Sequence, residues 1–308
     1  MQQDLSLARF RAPRYWPTWL LWWAMQCVAR LPFSWLPPLG RRLGVILKRL
    51  KRRERRTADR NLRACFPQLS ALEHARLLDA HFEAVGMSFL EMAIGWCWPI
   101  ERLVAIVRIE GREHLERALE RGRGVLAVSA HFTPLEVGVA VIESLGVNVS
   151  CMYRPQRNAM MDVLIRRGRS RFARAQIPRD NVRMLLRHLR ENHVVLYMPD
   201  QTYLGNQSEL LPFFGVPAVT NVATSKLAAI SGAVVLPYFF RRLADNTGYV
   251  VNIGPPLPDF PTKDAAQDTR RLVAMLEDYI RLAPEQYLWL YKKFKGRPPE
   301  LPDLYGNA

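Results

Sequence analysis

The chain has 308 residues, with 44 Lys and Arg against 28 Asp and Glu, a formal net charge of +16 and a pI near 10.2. Such a charge makes its partners anionic and leaves nucleic acid, anionic lipid and acidic protein open. Four cysteines (Cys27, Cys65, Cys97, Cys151) without a CxxC, and six scattered histidines without metal spacing, argue against a zinc site and a disulfide framework.

Residues 1–14 are polar and carry no signal-peptide cleavage pattern. The apolar run from Trp16 to Ala29 comes after them, and five of the eight tryptophans lie at or before Trp35. The run is short for a span, which needs roughly 20 residues. Tryptophan favours the headgroup level, so the run predicts a segment in one leaflet or in the interface. A single tilted span through Leu36 would have to carry Arg30 and several prolines. Next comes a basic block, Arg41 to Arg63, diluted only by Glu54 and Asp59. Leu43, Val45, Ile46 and Leu50 give it an apolar side, which predicts an amphipathic helix on anionic lipid. No aromatic residues interleave with the charges, and no nucleic-acid-binding module is visible. Residues 1–63 are therefore expected to be a membrane anchor and basic segment, and 64–308 a catalytic domain.

Ser70-Ala-Leu-Glu73 is a capping box opening a helix to about Met92. Val107–Glu110 is a short strand and His114–Glu120 a helix. The stretch from Gly124 to Glu136 organises the rest of the domain. Val125–Val128 is an apolar run without a solvated face, hence a buried strand. Thr133 and Pro134 read as the N-cap and first position of a helix that stops at Gly146. His131 therefore sits at a strand end just ahead of a helix N-terminus, where open α/β sheets place their chemistry. Folding back over the first turn, the imidazole can approach Glu136, which would orient it for proton abstraction. Thr133-Pro-Leu-Glu136 is also a capping box, in which Glu136 would only bind backbone.

Val147–Tyr153 is a second strand, ending in Tyr153-Arg154-Pro155. Helices are expected over Asn158–Phe172 and Arg179–Arg190. His193–Tyr197 is a third strand, ending in Met198-Pro199-Asp200. Thr202–Pro217 reads as a long loop, Asn221–Ile230 as a helix, Ala233–Phe240 and Tyr249–Ile253 as paired strands, and Thr269–Leu282 as a helix. Strands alternating with helices predict an α/β domain with a mixed central sheet flanked by helices. His131, Arg154 and Asp200 all come just after strand ends and can share a cleft with Glu136 and Arg169. The set offers a base, carboxylates and arginines suited to phosphate. It has no G-x-S-x-G serine and no cysteine beside His131, which favours direct transfer over a covalent intermediate.

His131-Phe-Thr-Pro-Leu-Glu136, Tyr153-Arg154-Pro155, Gly168-Arg169, Pro199-Asp200, Pro212-Phe-Phe-Gly215 and Pro284-Glu-Gln-Tyr287-x-Trp289 occur in that order, preceded by Arg60-Asn61-Leu62-x-x-Cys65-Phe66-Pro67. In these motifs, across about residues 15–298, the chain resembles the late acyltransferases of lipid A biosynthesis (the lauroyl and myristoyl transferases), within the wider lysophospholipid acyltransferase group. The resemblance implies a glycerolipid-acyltransferase-like fold at the cytoplasmic face of the inner membrane. It implies transfer of a fatty acyl chain from acyl carrier protein to a hydroxyl of an acylated, phosphorylated glucosamine lipid, without metal or bound cofactor. It makes His131 and Glu136 the catalytic pair and implicates Arg169 and Asp200, with Arg154 in a shared motif. One departure is Tyr291, where the family commonly has histidine. The residues alone leave open another lipid acceptor, such as a lysophospholipid or ornithine lipid, and a non-enzymatic peripheral membrane protein.

Overall fold

The computed structural model describes residues 5–306. A 3-10 turn at Pro13–Tyr15 leads into α1 (Trp16–Val28), and a second at Phe33–Trp35 leads into α2 (Leu36–Leu50). Between them Pro32 is extended, with ψ of 144°, so the chain does not run as one helix through Leu36. No helix among the described residues is long and apolar enough to cross a membrane. Leu20 and Trp23 on α1 are 73% and 62% exposed, and Val45, Ile46 and Leu50 on α2 are also exposed.

Helix α3 (Arg52–Cys65) carries the second half of the basic block, whose first half lies on α2, and α4 (Ala71–Cys97) is the long helix of the molecule. The expected boundary after residue 63 falls inside α3. Ala58, Asn61 and Leu62 on that helix are buried, and Ala58 and Leu62 belong to the core shared with the rest of the chain. Helices α2 and α4 cross at glycines. A Cβ on Gly44 would lie 2.3 Å from the Phe82 carbonyl oxygen, and one on Gly86 2.1 Å from that of Gly40. Real Cβ contacts do not come so close, so side chains here would force the helices apart.

The short α5 (Ile100–Val104) precedes β1 (Val107–Glu110), α6 (Arg112–Glu120) and β2 (Val125–Val128). Then come α7 (Leu135–Val141), β3 (Val149–Tyr153), α8 (Ala159–Arg169), β4 (Ala175–Pro178), α9 (Val182–Arg190) and β5 (Val194–Tyr197). The hairpin β6 (Ser208–Phe213) and β7 (Val216–Asn221) leads to α10 (Ala223–Ser231), β8 (Val234–Arg242), β9 (Tyr249–Ile253) and α11 (Ala265–Leu282). The main sheet has seven strands in the order β1-β9-β8-β2-β5-β3-β4. Its neighbours pair in parallel except β8 and β9, which are antiparallel. The expected mixed α/β sheet is therefore observed. The central strands β2 and β5 are buried at every position, as a sheet covered on both faces requires.

Two elements differ from expectation. The stretch expected as a long loop forms the β6–β7 hairpin, closed by Phe214 and Gly215, both at positive φ (49° and 76°). That is the two-residue turn geometry favoured by the twist of hairpins. Pro212 and Pro217 face each other across it and mask the strand signal, since proline reads as a breaker. Strand β4 is not among the expected elements. It is an edge strand of four residues, only one of them fully buried.

Candidate active site

Strands β2 and β5 are parallel neighbours, with Val128 opposite Tyr197. Their carboxyl ends deliver His131 and Asp200 to one point. His131 Nδ1 lies 2.7 Å from Asp200 Oδ1, and the His131 backbone N–H donates to Oδ2 at 3.1 Å. With Asp200 ionised, Nδ1 carries the proton and Nε2 presents its lone pair. The imidazole is 28% exposed and the carboxylate 2%, so the base can meet a substrate while its partner cannot.

Asp200 is held from the tail. The Tyr287 hydroxyl donates to Oδ2 at 3.2 Å, and buried Lys293 donates from Nζ to the Asp200 carbonyl at 2.7 Å. The tail is fixed in turn. Leu288 N–H donates to the His131 carbonyl, and Thr133 N–H to that of Gln286. The fully buried Asn61 amide donates to the carbonyls of Trp289 and Tyr291 at 2.7 and 2.8 Å. The Asn61 and Pro284–Trp289 motifs, more than two hundred residues apart, are thus one structural unit behind the histidine.

Glu136 does not orient His131, contrary to expectation. Its Oε2 accepts from Arg169 Nε at 3.1 Å and from Trp96 Nε1 at 2.7 Å, and its Oε1 accepts from Arg169 Nη2 at 2.5 Å. The fork matches a carboxylate with two parallel bonds, and it outcompetes both the imidazole and the backbone. Nor is Glu136 a capping residue: α7 has no side-chain cap, and the Thr133 hydroxyl is buried without a hydrogen-bond partner among the described residues. Two glycines make the fork possible. A Cβ on Gly95 would lie 2.9 Å from the Glu136 carbonyl oxygen, and one on Gly168 2.5 Å from the Trp96 ring. Their lack of side chains lets α4, α7 and α8 close around the carboxylate.

Charge and burial set the titration of both pairs. Burial alone would lower the His131 pKa, but the Asp200 charge and hydrogen bond outweigh it and raise it above the usual value; the Arg169 charge opposes. Burial would raise the Asp200 pKa, yet His131 holds it below the usual carboxylate range. Burial likewise opposes ionisation of Glu136, and the Arg169 charge, its hydrogen bonds and the Trp96 bond win, so Glu136 titrates low. Cys151 feels the charges of Arg169 and Glu136, but burial pushes its thiol up to about 12, so it supplies no thiolate at neutral pH.

The five expected site residues divide. His131 and Asp200 form one pair, Glu136 and Arg169 the other. Arg154 is exposed just beyond the end of β3, on the rim of the same edge. Arg171, two residues after Arg169, donates to the carbonyls of Trp96 and Trp98 at the end of α4, where a cation suits the helix dipole. Trp96, Tyr287 and Lys293 join the site without having been expected there. Each is a common core or tail residue type, and only the tertiary arrangement gives it a polar partner here.

An imidazole held by a buried carboxylate at a strand end is the equipment of an acid–base enzyme. Comparison with known proteins gives its kind. The chain belongs to the bacterial lipid A biosynthesis acyltransferase family, whose model matches residues 6–296. It is 35% identical over 296 residues to the lipid A biosynthesis lauroyltransferase of Escherichia coli (strain K12), covering 95% of this chain and 96% of that one. It is 37% identical over 300 residues to the palmitoleoyltransferase of the same organism, covering 96% of each, and 28% identical to the myristoyltransferase, covering 94% and 90%. The protein is an acyltransferase of lipid A biosynthesis.

Proposed function

We propose that this acyltransferase moves a fatty acyl chain from acyl carrier protein to a hydroxyl of an acylated, phosphorylated glucosamine lipid at the cytoplasmic face of the inner membrane. His131 Nε2 takes the proton of the acceptor hydroxyl as the oxygen attacks the thioester carbonyl. Asp200 fixes the tautomer and stabilises the imidazolium that forms. The tetrahedral intermediate collapses, the C–S bond breaks, and the imidazolium returns its proton to the departing thiolate. No covalent acyl-enzyme is formed: among the described residues no serine hydroxyl or cysteine thiol bonds the imidazole. Glu136 anchors Arg169 beside the base, and Arg169 with Arg154 meets phosphate on the acceptor or on the donor's phosphopantetheine.

The observation carrying this reading is the 2.7 Å bond from His131 Nδ1 to Asp200, which leaves Nε2 for chemistry. The membrane placement is supported by the exposed aromatic and aliphatic face of α1, the outward apolar side of α2 and the basic α3. An acidic carrier protein suits the net charge of +16.

The test is transfer from lauroyl-, myristoyl-, palmitoyl- and palmitoleoyl-carrier protein to a tetra-acylated, Kdo-bearing lipid A precursor, with wild type beside His131→Ala. Wild type is expected to give product, and the variant to lose about 10²–10⁴-fold in turnover, the usual worth of a positioned base. Near-normal turnover by folded His131→Ala would sink the mechanism. Absence of product with every donor would redirect the search to other lipid acceptors.

A further inference from the structure

The carboxyl ends of the central strands hold the acid–base pair. The amino ends of the same strands bring together two of the histidines that look scattered in the sequence. His188 lies in the last turn of α9, and His193 immediately precedes β5. Asn192 between them is left-handed, with φ of 60°, and so reverses the chain. The His193 backbone N–H donates to the His188 carbonyl at 3.0 Å. The two Nδ1 atoms lie 2.9 Å apart, and Ser150 Oγ on β3 is 3.1 Å from one and 3.0 Å from the other. All three side chains are buried. Exposed Glu191 reaches the same point: one ligand atom from each of His188, Glu191 and His193 lies within 4.8 Å of the others.

Hydrogen bonding alone satisfies this cluster poorly. Three polar atoms meet within 3.1 Å, yet only one of the two facing Nδ1 atoms can donate to the other, and Ser150 Oγ has a single proton to offer.

We propose that His188, Glu191 and His193 form a binding site for a transition-metal ion of the Zn(II) type, with the Ser150 hydroxyl or water completing the coordination. Two imidazoles and one carboxylate select such ions over calcium or magnesium, which want oxygen ligands. At the usual Zn–N distance of about 2.0–2.1 Å a tetrahedral ion holds its ligand nitrogens about 3.3 Å apart, so the two rings would open by a few tenths of an ångström from their 2.9 Å contact to admit it. Arg187, 3.5 Å from Glu191, competes for the carboxylate, and the Arg174 charge faces His193. These cations make the site weaker than a closed four-ligand structural centre. The ion would tie the end of α9 to β5 and β3, at the opposite end of the sheet from Asp200, and serve stability rather than acyl transfer.

The full-length, tag-free protein, stripped with chelator, would be titrated with Co(II) and followed by its visible d–d absorption, with Zn(II) as competitor. One equivalent of Co(II) per chain is expected. Glu191→Gln, at an exposed position, should weaken binding at least about tenfold, and the double variant His188→Gln/His193→Gln should abolish it. Zn(II) should raise the melting temperature of wild type and not of the double variant. Absence of a Co(II) spectrum overturns the proposal, as does a titration unchanged in Glu191→Gln. If the double variant fails to fold, the Glu191→Gln titration decides.

Discussion

Ser70-Ala-Leu-Glu73 and Thr133-Pro-Leu-Glu136 have the same local pattern, a hydroxyl residue three positions ahead of a glutamate at a helix start. The first closes as a capping box. Glu73 N–H donates to Ser70 Oγ at 3.3 Å, and Ser70 N–H donates to Glu73 Oε2 at 2.7 Å. The second does not. Glu136 is buried beneath Arg169 and Trp96, and the Thr133 N–H turns to the tail. Four residues cannot tell these cases apart. The difference lies in what reaches the glutamate from elsewhere: solvent at α4, and at α7 a guanidinium let in by Gly95 and Gly168.

Breaking the second case should have the largest effect. Glu136→Ala leaves the Arg169 guanidinium buried without its partner, which costs about 3–5 kcal/mol in comparable buried pairs. The matching change at exposed Glu73 should be barely measurable. Replacing both partners, Glu136→Met with Arg169→Met, should restore most of the stability, since apolar residues tolerate burial, but not the activity. Denaturant unfolding beside the transfer assay checks this. If the double variant is active, the fork is structural only. The pH dependence carries the same signature. Because Arg169 holds the Glu136 pKa below its ordinary value, the stabilisation is complete above the ordinary glutamate range. It is lost as the pH falls through the depressed value, a loss the double variant should not show.

Asp200→Asn should have the next largest effect. Asp200 raises the His131 pKa, so in wild type the imidazole is protonated, and useless as a base, up to a higher pH than an isolated histidine. The amide removes both the charge and the charged hydrogen bond, and the His131 pKa falls. The acid limb of kcat/KM should therefore move to lower pH while the plateau drops, because orientation and imidazolium stabilisation are lost together. Glu136→Gln should lower the plateau without that shift, since Glu136 does not touch the ring. A limb that moves with Glu136→Gln and not with Asp200→Asn would reassign the histidine's partner.

Much of this is legible in the sequence. Buried runs such as Val125–Val128 can only be central strands, and residues after parallel strands converge at one edge, so the sequence puts His131, Arg154 and Asp200 on the edge they occupy. The pairing among them is not legible. It depends on β5 lying next to β2, a matter of strand order, and on α8 returning Arg169 to Glu136. The clamp on Asp200 is hidden for a similar reason. Tyr287 and Lys293 lie 87 and 93 residues beyond it and reach it because Asn61 and the backbone of His131 and Thr133 pin the tail. The β6–β7 hairpin escapes a sequence reading because its prolines read as breakers and because Phe214, unlike Gly215, is not a residue the left-handed turn position favours. The convergence of His188 and His193 escapes it because it depends on one left-handed Asn192, which a spacing rule for metal ligands does not encode.

The smallest effect sharpens the comparison most cleanly, because it probes the two hydroxyls rather than the two glutamates. Ser70→Ala removes an acceptor that satisfies a helix N–H, a change that typically costs about 1 kcal/mol. Thr133→Val removes a hydroxyl that caps nothing and is buried without a partner among the described residues. It keeps the shape, so burial of the methyl should leave stability unchanged or raise it. The two variants, alike as losses of a hydroxyl from an S/T-x-x-E start, should move the melting temperature in different ways. Ser70→Ala should lower it, and Thr133→Val should hold or raise it. Equal losses in both would mean that Thr133 caps α7 in solution and that the Glu136–Arg169 fork does not displace the capping box.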